Sequence, residues 1–155
     1  MNEYKFLPTL MWKYNYEPGF DTTEFSKSLD RIGVKGNYEA DGGLTTAGMG
    51  ENIHEWPSLV PFLNWLRPKI EVALNEWQVN WKQYFITKSW VNSHPKGGYT
   101  RTHDHGSTHV VVSIYISNLK MVAMLNLKTL CVVNGYHICE ETSQAICMTI
   151  IVKYL

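Results

Sequence analysis

Two β-rich runs flanking a turn-forming, histidine-rich stretch constrain this 155-residue chain more than any other feature. Gln83 to Val91 is crowded with Tyr, Phe, Ile, Thr and Trp, side chains that suit a pleated, half-buried surface. It ends at Ser93-His94-Pro95-Lys96-Gly97-Gly98, a run of turn formers. Val110 to Ile116 reads VVVSIYI, the almost continuous apolar pattern of a strand buried on both faces or nearly so. The pattern predicts strands over 83–92 and 108–117. A loop as short as 93–102 suits an antiparallel pair and is too short for a parallel crossover, so the two are expected to pair with each other.

Upstream, the period changes to that of helices. Asp21-Thr22-Thr23-Glu24 has the form of a capping box, a side-chain acceptor followed three residues later by Glu. Phe25, Leu29 and Ile32 then recur at i, i+4 and i+7, and Gly33 supplies a stop. A second helix is expected from Pro57 to Trp77, with Leu59, Phe62, Leu63, Leu66, Ile70, Ala73, Leu74 and Trp77 as its apolar stripe and Pro68 bending it. Between these helices, residues 36–52 carry five glycines among Thr and Asn and show no helical period. The expected class is α+β, one domain over residues 1–155, with N-terminal helices packed on a mainly antiparallel sheet.

Fourteen basic side chains balance fourteen acidic ones, which argues against a general electrostatic grip on nucleic acid or an anionic membrane. No apolar run reaches the ~20 residues of a membrane span, and the opening MNEYKFLP lacks the basic and apolar regions of a signal peptide. A cytoplasmic protein with a small-molecule partner is expected. In that compartment the three cysteines, Cys131, Cys139 and Cys147, are expected to be reduced thiols.

Four of the six histidines, His94, His103, His105 and His109, fall between the two predicted strands. In an extended chain side chains at i and i+2 share a face, so His103 and His105 can point the same way with Asp104 turned to the other. Two imidazoles on one face suit Fe, Zn, Cu or Ni. His109 shares their parity and fits a pocket wall, while His94, beside Pro95, is expected at the surface. The same H-x-H spacing also arises from two solvated loop histidines.

Trp90 with Asn92, Gly97-Gly98, His103 and His105, Gly106-Ser107 and Tyr115 together resemble the first metal-ligand region of a family of 2-oxoglutarate- and Fe(II)-dependent oxygenases of bacteria and their phages. The similarity covers residues 80–117, and more loosely Phe6 to Pro8 and the glycine-rich stretch around Thr45-Thr46. It implies a double-stranded β-helix, or jelly roll, holding Fe(II) and using 2-oxoglutarate and dioxygen, in the host cytoplasm if the chain is phage-encoded. The resemblance assigns His103 and His105 to the metal, Asp104 as a weaker third choice, and Asn92 and Tyr115 to the cosubstrate. H-x-H stands here where H-x-Asp is the commoner oxygenase pattern, so Asp104 either reaches the metal from the other strand face or stays out. The alternatives from other classes are a non-catalytic β-sandwich binding or viral structural module, and a cupin-like metal isomerase.

The tail departs from that resemblance. Every Trp, Phe, Pro and Arg lies at or before Arg101 and every Cys after residue 130. Residues 117–130, SNLKMVAMLNLKTL, lack the family's strand of the form G-x-I-x-F-x-D-P. A codon frame taking the third base of one codon and two of the next forces Gly across Met121-Val122 and allows only Asp or Asn across Lys120-Met121 and Lys128-Thr129. That frame permits P-K-D-G-G-N-V-E-F-K-D-P over Asn118 to Leu130. Residues 118–155 are therefore expected to be an out-of-frame tail, leaving the jelly roll incomplete at its C-terminus and the chain weakly active or inactive. The competing reading is an authentic divergent tail forming one or two strands, in which His137 becomes the leading third metal ligand. Cys131, His137 and Cys139 match no compact zinc spacing.

Overall fold

A computed structural model describes residues 11–18, 21–36, 42–95, 98, 100, 101, 103, 105, 110–117, 120–127 and 145–155, with 117, 120–127 and 145–147 described as strand backbone. The chain order is β1 (Met11–Tyr16), α1 (Thr23–Ile32), β2 (Leu44–Thr45), two 3₁₀ turns (Ile53–Glu55 and Pro57–Leu59), α2 (Val60–Glu76), β3 (Tyr84–His94), β4 (Val110–Ser117), β5 (Lys120–Leu127) and β6 (Ala145–Tyr154). The strands form a six-stranded sheet in the order β1-β5-β4-β6-β3-β2, every neighbouring pair antiparallel. The class is α+β, as the residue patterns predict.

Both helices form where the periodicity places them. In α1, Phe25 and Leu29 are buried. Asp21 Oδ1 accepts a hydrogen bond from the Thr23 amide at 2.9 Å, but the N-cap of α1 is Thr22, whose side chain makes no capping bond, and the Glu24 carboxylate accepts from Ser58 Oγ, so the expected capping box does not form. The α2 stripe is buried at Phe62, Leu63, Leu66, Ile70, Ala73 and Leu74, and the helix continues through Pro68. Its end is a Schellman arrangement: the Val79 amide donates to the Leu74 carbonyl and the Gln78 amide to that of Asn75, with Gln78 at a φ of 58°.

The sheet has two unlike faces. Val110, Val112, Ile114 and Ile116 of β4, Met148, Ile150 and Val152 of β6, and Val91 of β3 join the helix stripes in one apolar core. Tyr16 of β1 closes the far side, its ring 5.3 Å from Phe62 and 5.0 Å from Trp65 between centroids. Strand alternation turns Val111, Ser113 and Tyr115 to the opposite face, where Val111 is still 4% exposed.

The expected pairing of 83–92 with 108–117 is not what forms. β6 lies between β3 and β4 and is antiparallel to each, so those two strands run parallel to one another, two positions apart. A short loop signals an antiparallel pair only when nothing separates the strands, and here a segment from the far end of the chain does. Residues 118–155 supply β5 and β6, which pair with both edges of β4.

Candidate functional site

A bulge in β3 decides which residues face away from the helices. Ile86 is opposite Val152 and Lys88 opposite Ile151, leaving Thr87 as the extra residue; its Oγ1 donates to the Ile151 carbonyl at 3.4 Å. An extra residue reverses the alternation beyond it. Tyr84 and Ile86 pack on the core before the bulge, and Ser89 and Val91 take that side after it. Trp90, Asn92 and His94 are thereby turned to the opposite face.

Register then places the candidate residues in two rows. Trp90 pairs with Thr149, which pairs with Ser113; Asn92 pairs with Cys147, which pairs with Tyr115. At ~4.8 Å per strand, Asn92 and Tyr115 stand roughly 10 Å apart on one face. The Trp90 ring meets that of His105 with centroids 5.5 Å apart, and His105 meets His103 edge-on at 4.7 Å. His103 Nδ1 lies 2.8 Å from the Arg101 carbonyl. A carbonyl only accepts, so Nδ1 carries the proton and the lone pair of the neutral ring is on Nε2. The expected proximity of His103 and His105 is thus realised, beside Trp90 and on the side of the sheet that holds Asn92 and Tyr115. Asp104, His109 and His137 lie outside the described residues, and among the described residues no group of three or more His, Cys, Asp or Glu converges.

The glycine-rich stretch, which sequence patterns placed only as a loop, braces this end of β3. Thr45 Oγ1 donates to the buried Asn92 Oδ1 at 2.6 Å and itself accepts from the Ala47 amide at 3.1 Å. The fully buried Thr46 accepts the Val91 amide on its hydroxyl at 3.1 Å and donates its own amide to the Val91 carbonyl at 3.0 Å. Gly42 makes the required turn at a φ of 86°.

His94 is not at the surface. It is 4% exposed, with Nε2 2.9 Å from Thr100 Oγ1. Beside it the Gly98 amide donates to the Pro95 carbonyl at 2.9 Å. A Cβ on Gly98 would lie 2.9 Å from Pro95 Cδ and 3.3 Å from His94 Cβ, so a side chain there would displace its neighbours.

Two polar clusters on the helix side had no sequence signal, because their partners are far apart in the chain. Ser89 Oγ, 2% exposed at the residue level, accepts the His54 amide at 2.8 Å and lies 2.7 Å from His54 Nδ1. The hydroxyl has a second lone pair and a proton left for Nδ1, so it can partner either tautomer of the ring. Burial pushes the His54 pKa below its ordinary value, against the upward pull of Glu55. This serine is too enclosed to meet a substrate. Glu51 accepts from Ser28 Oγ at 2.7 Å and from Arg31 at 2.6 Å. Burial pushes its carboxyl up, but the bonds from Ser28, Arg31 and Trp56 and the Arg31 charge together hold it below the ordinary value.

No family model matches this chain, and neither a curated protein nor a solved structure does.

Proposed function

We propose that this chain is, or derives from, a 2-oxoglutarate- and Fe(II)-dependent oxygenase in which His103 and His105 hold the metal. The observation that supports this most is the pair itself: two imidazoles side by side, with His103 Nδ1 tied to a backbone carbonyl at 2.8 Å. Metal-bound histidines commonly hold their second ring nitrogen in this way, because it fixes the tautomer and aims the other nitrogen. Imidazole donors suit Fe(II). The bound ion would supply a centre at which dioxygen is reduced as 2-oxoglutarate is decarboxylated. Asp104 and His137 remain the candidates for a third ligand.

The other assignments concern orientation. With its Oδ1 engaged by Thr45, Asn92 turns its amide donors elsewhere. A carboxylate such as those of 2-oxoglutarate accepts only, so an amide held this way and the Tyr115 phenol are suitable partners. In the jelly-roll reading, the face bearing Trp90, Asn92 and Tyr115 would be the lining of the pocket, with a second sheet opposite.

The test is succinate formation from 2-oxoglutarate by the Fe(II)-supplemented protein, compared with a His103→Ala, His105→Ala double variant of unchanged circular dichroism. Succinate above the double variant supports the proposal. Equal, background-level release from both rejects oxygenase activity for this chain and favours the non-catalytic binding module.

A further inference from the structure

We infer that Trp90 is a positioning residue for the histidine pair, holding the His105 imidazole, and through it that of His103, in the orientation in which both address one ion. This rests on the metal reading of His103 and His105 given above. Both histidines lie outside the regular strands, whereas Trp90 is in the middle of β3, hydrogen-bonded into the sheet on one side by β6 and braced one residue further on by Thr46. The three rings form a chain: Trp90 to His105 at 5.5 Å with planes inclined 56°, then His105 to His103 at 4.7 Å and nearly perpendicular, 85°. Arg101 fixes the far end through His103 Nδ1.

Two imidazoles that converge on one ion give up ring rotation when they bind it. A ring already lodged against an indole on a rigid strand has given up that freedom beforehand, so less is lost on binding. Aromatic pairs of this inclined and edge-on kind contribute beyond their buried area. The bulge at Thr87 is what turns Trp90 toward the pair, since the alternation before the bulge would send residue 90 to the helix side. A bystander indole would need neither the inclined contact nor this change of face.

The experiment is a Co(II) titration of the full chain, followed by visible absorption, for wild type, Trp90→Phe and Trp90→Leu. Phe keeps a ring and Leu keeps apolar bulk. The Leu variant is expected to bind Co(II) about three- to tenfold more weakly, the factor to which an aromatic pair corresponds, with a broadened ligand-field band. The Phe variant should stay within about twofold of wild type. A Leu variant with wild-type affinity and spectrum overturns the inference while leaving the metal site intact. Wild-type protein that binds no Co(II) overturns the metal reading itself. A second measurement needs no variant at the critical ring: in metal-free wild type the His105 ring protons should be shifted upfield by the indole ring current, and unshifted protons overturn the contact.

Discussion

At the scale of single residues, two positions make predictions that do not depend on function. Gln78 occupies the left-handed C′ position of α2, where a side chain is strained and glycine is not. Gln78→Gly is expected to stabilise the fold by about 0.5–1 kcal/mol despite the extra chain entropy of glycine. Thermal unfolding should show a rise of a few degrees, about 2–4 °C per kcal/mol for a chain of this size, and a fall would contradict the reading. The second position is His54. The folded state prefers its neutral ring, so its contribution to stability is complete above the ordinary value of 6.5 and is lost as pH falls from there through the lowered folded value. Wild type should lose stability relative to His54→Gln between pH 7.5 and the lowered value; a difference that does not change with pH would count against a buried neutral imidazole. Neither feature was legible beforehand. Gln at a C′ position breaks the glycine rule that marks helix ends, and Ser89 is remote in sequence from His54.

Elements were legible where one local period decides the outcome. The α2 stripe fits because burial against a single face demands a 3.6-residue repeat, and Phe62 in its first turn is fully buried. Phe62→Ala should cost about 3–5 kcal/mol in chemical denaturation; a cost below about 1 kcal/mol would mean that the stripe does not face a packed core. The neighbours of each strand were not legible, because pairing is set by segments remote in the chain. The nearly continuous apolar run VVVSIYI says that β4 is buried, and says nothing about β6 lying between it and β3. The bulge escaped notice for a related reason, since Ile86-Thr87-Lys88 has no unusual residue. Deleting Thr87, the extra residue, should give simple alternation with the register beyond it unchanged, leaving Trp90 opposite Thr149 and Asn92 opposite Cys147 on the face away from the helices. Quenching of tryptophan fluorescence by a soluble quencher, with and without Trp90→Phe in the two backgrounds, checks this: the Trp90-dependent part should persist in the deletion variant, and its loss would contradict the alternation argument.

For the whole molecule, the tail is where sequence and structure pull in different directions. The code allows an alternate frame resembling the missing family strand, yet in the fold Met148, Ile150 and Val152 of the tail are fully buried between β3 and β4. A chain ending at residue 117 would leave both edges of β4 open, and open apolar edges recruit other chains. Truncation at that point should give insoluble protein; a soluble monomeric product would mean that β6 is dispensable. The nucleotide sequence of codons 116–131 separates the two readings of the tail, according to whether the shifted frame encodes D-G-G-N-V-E-F-K-D-P and stays open. The candidate site was legible in part: H-x-H spacing and the W-x-N strand pointed to His103, His105 and Asn92, while the bracing by Thr45 and Thr46 needed the fold. The central claim, that His103 and His105 bind one metal ion together, is tested most directly by metal content after Fe(II) loading and anaerobic desalting. One ion per chain in wild type, and none in the His103→Ala, His105→Ala variant, is the expected result; stoichiometric iron retained by the variant, or none in wild type, would contradict it.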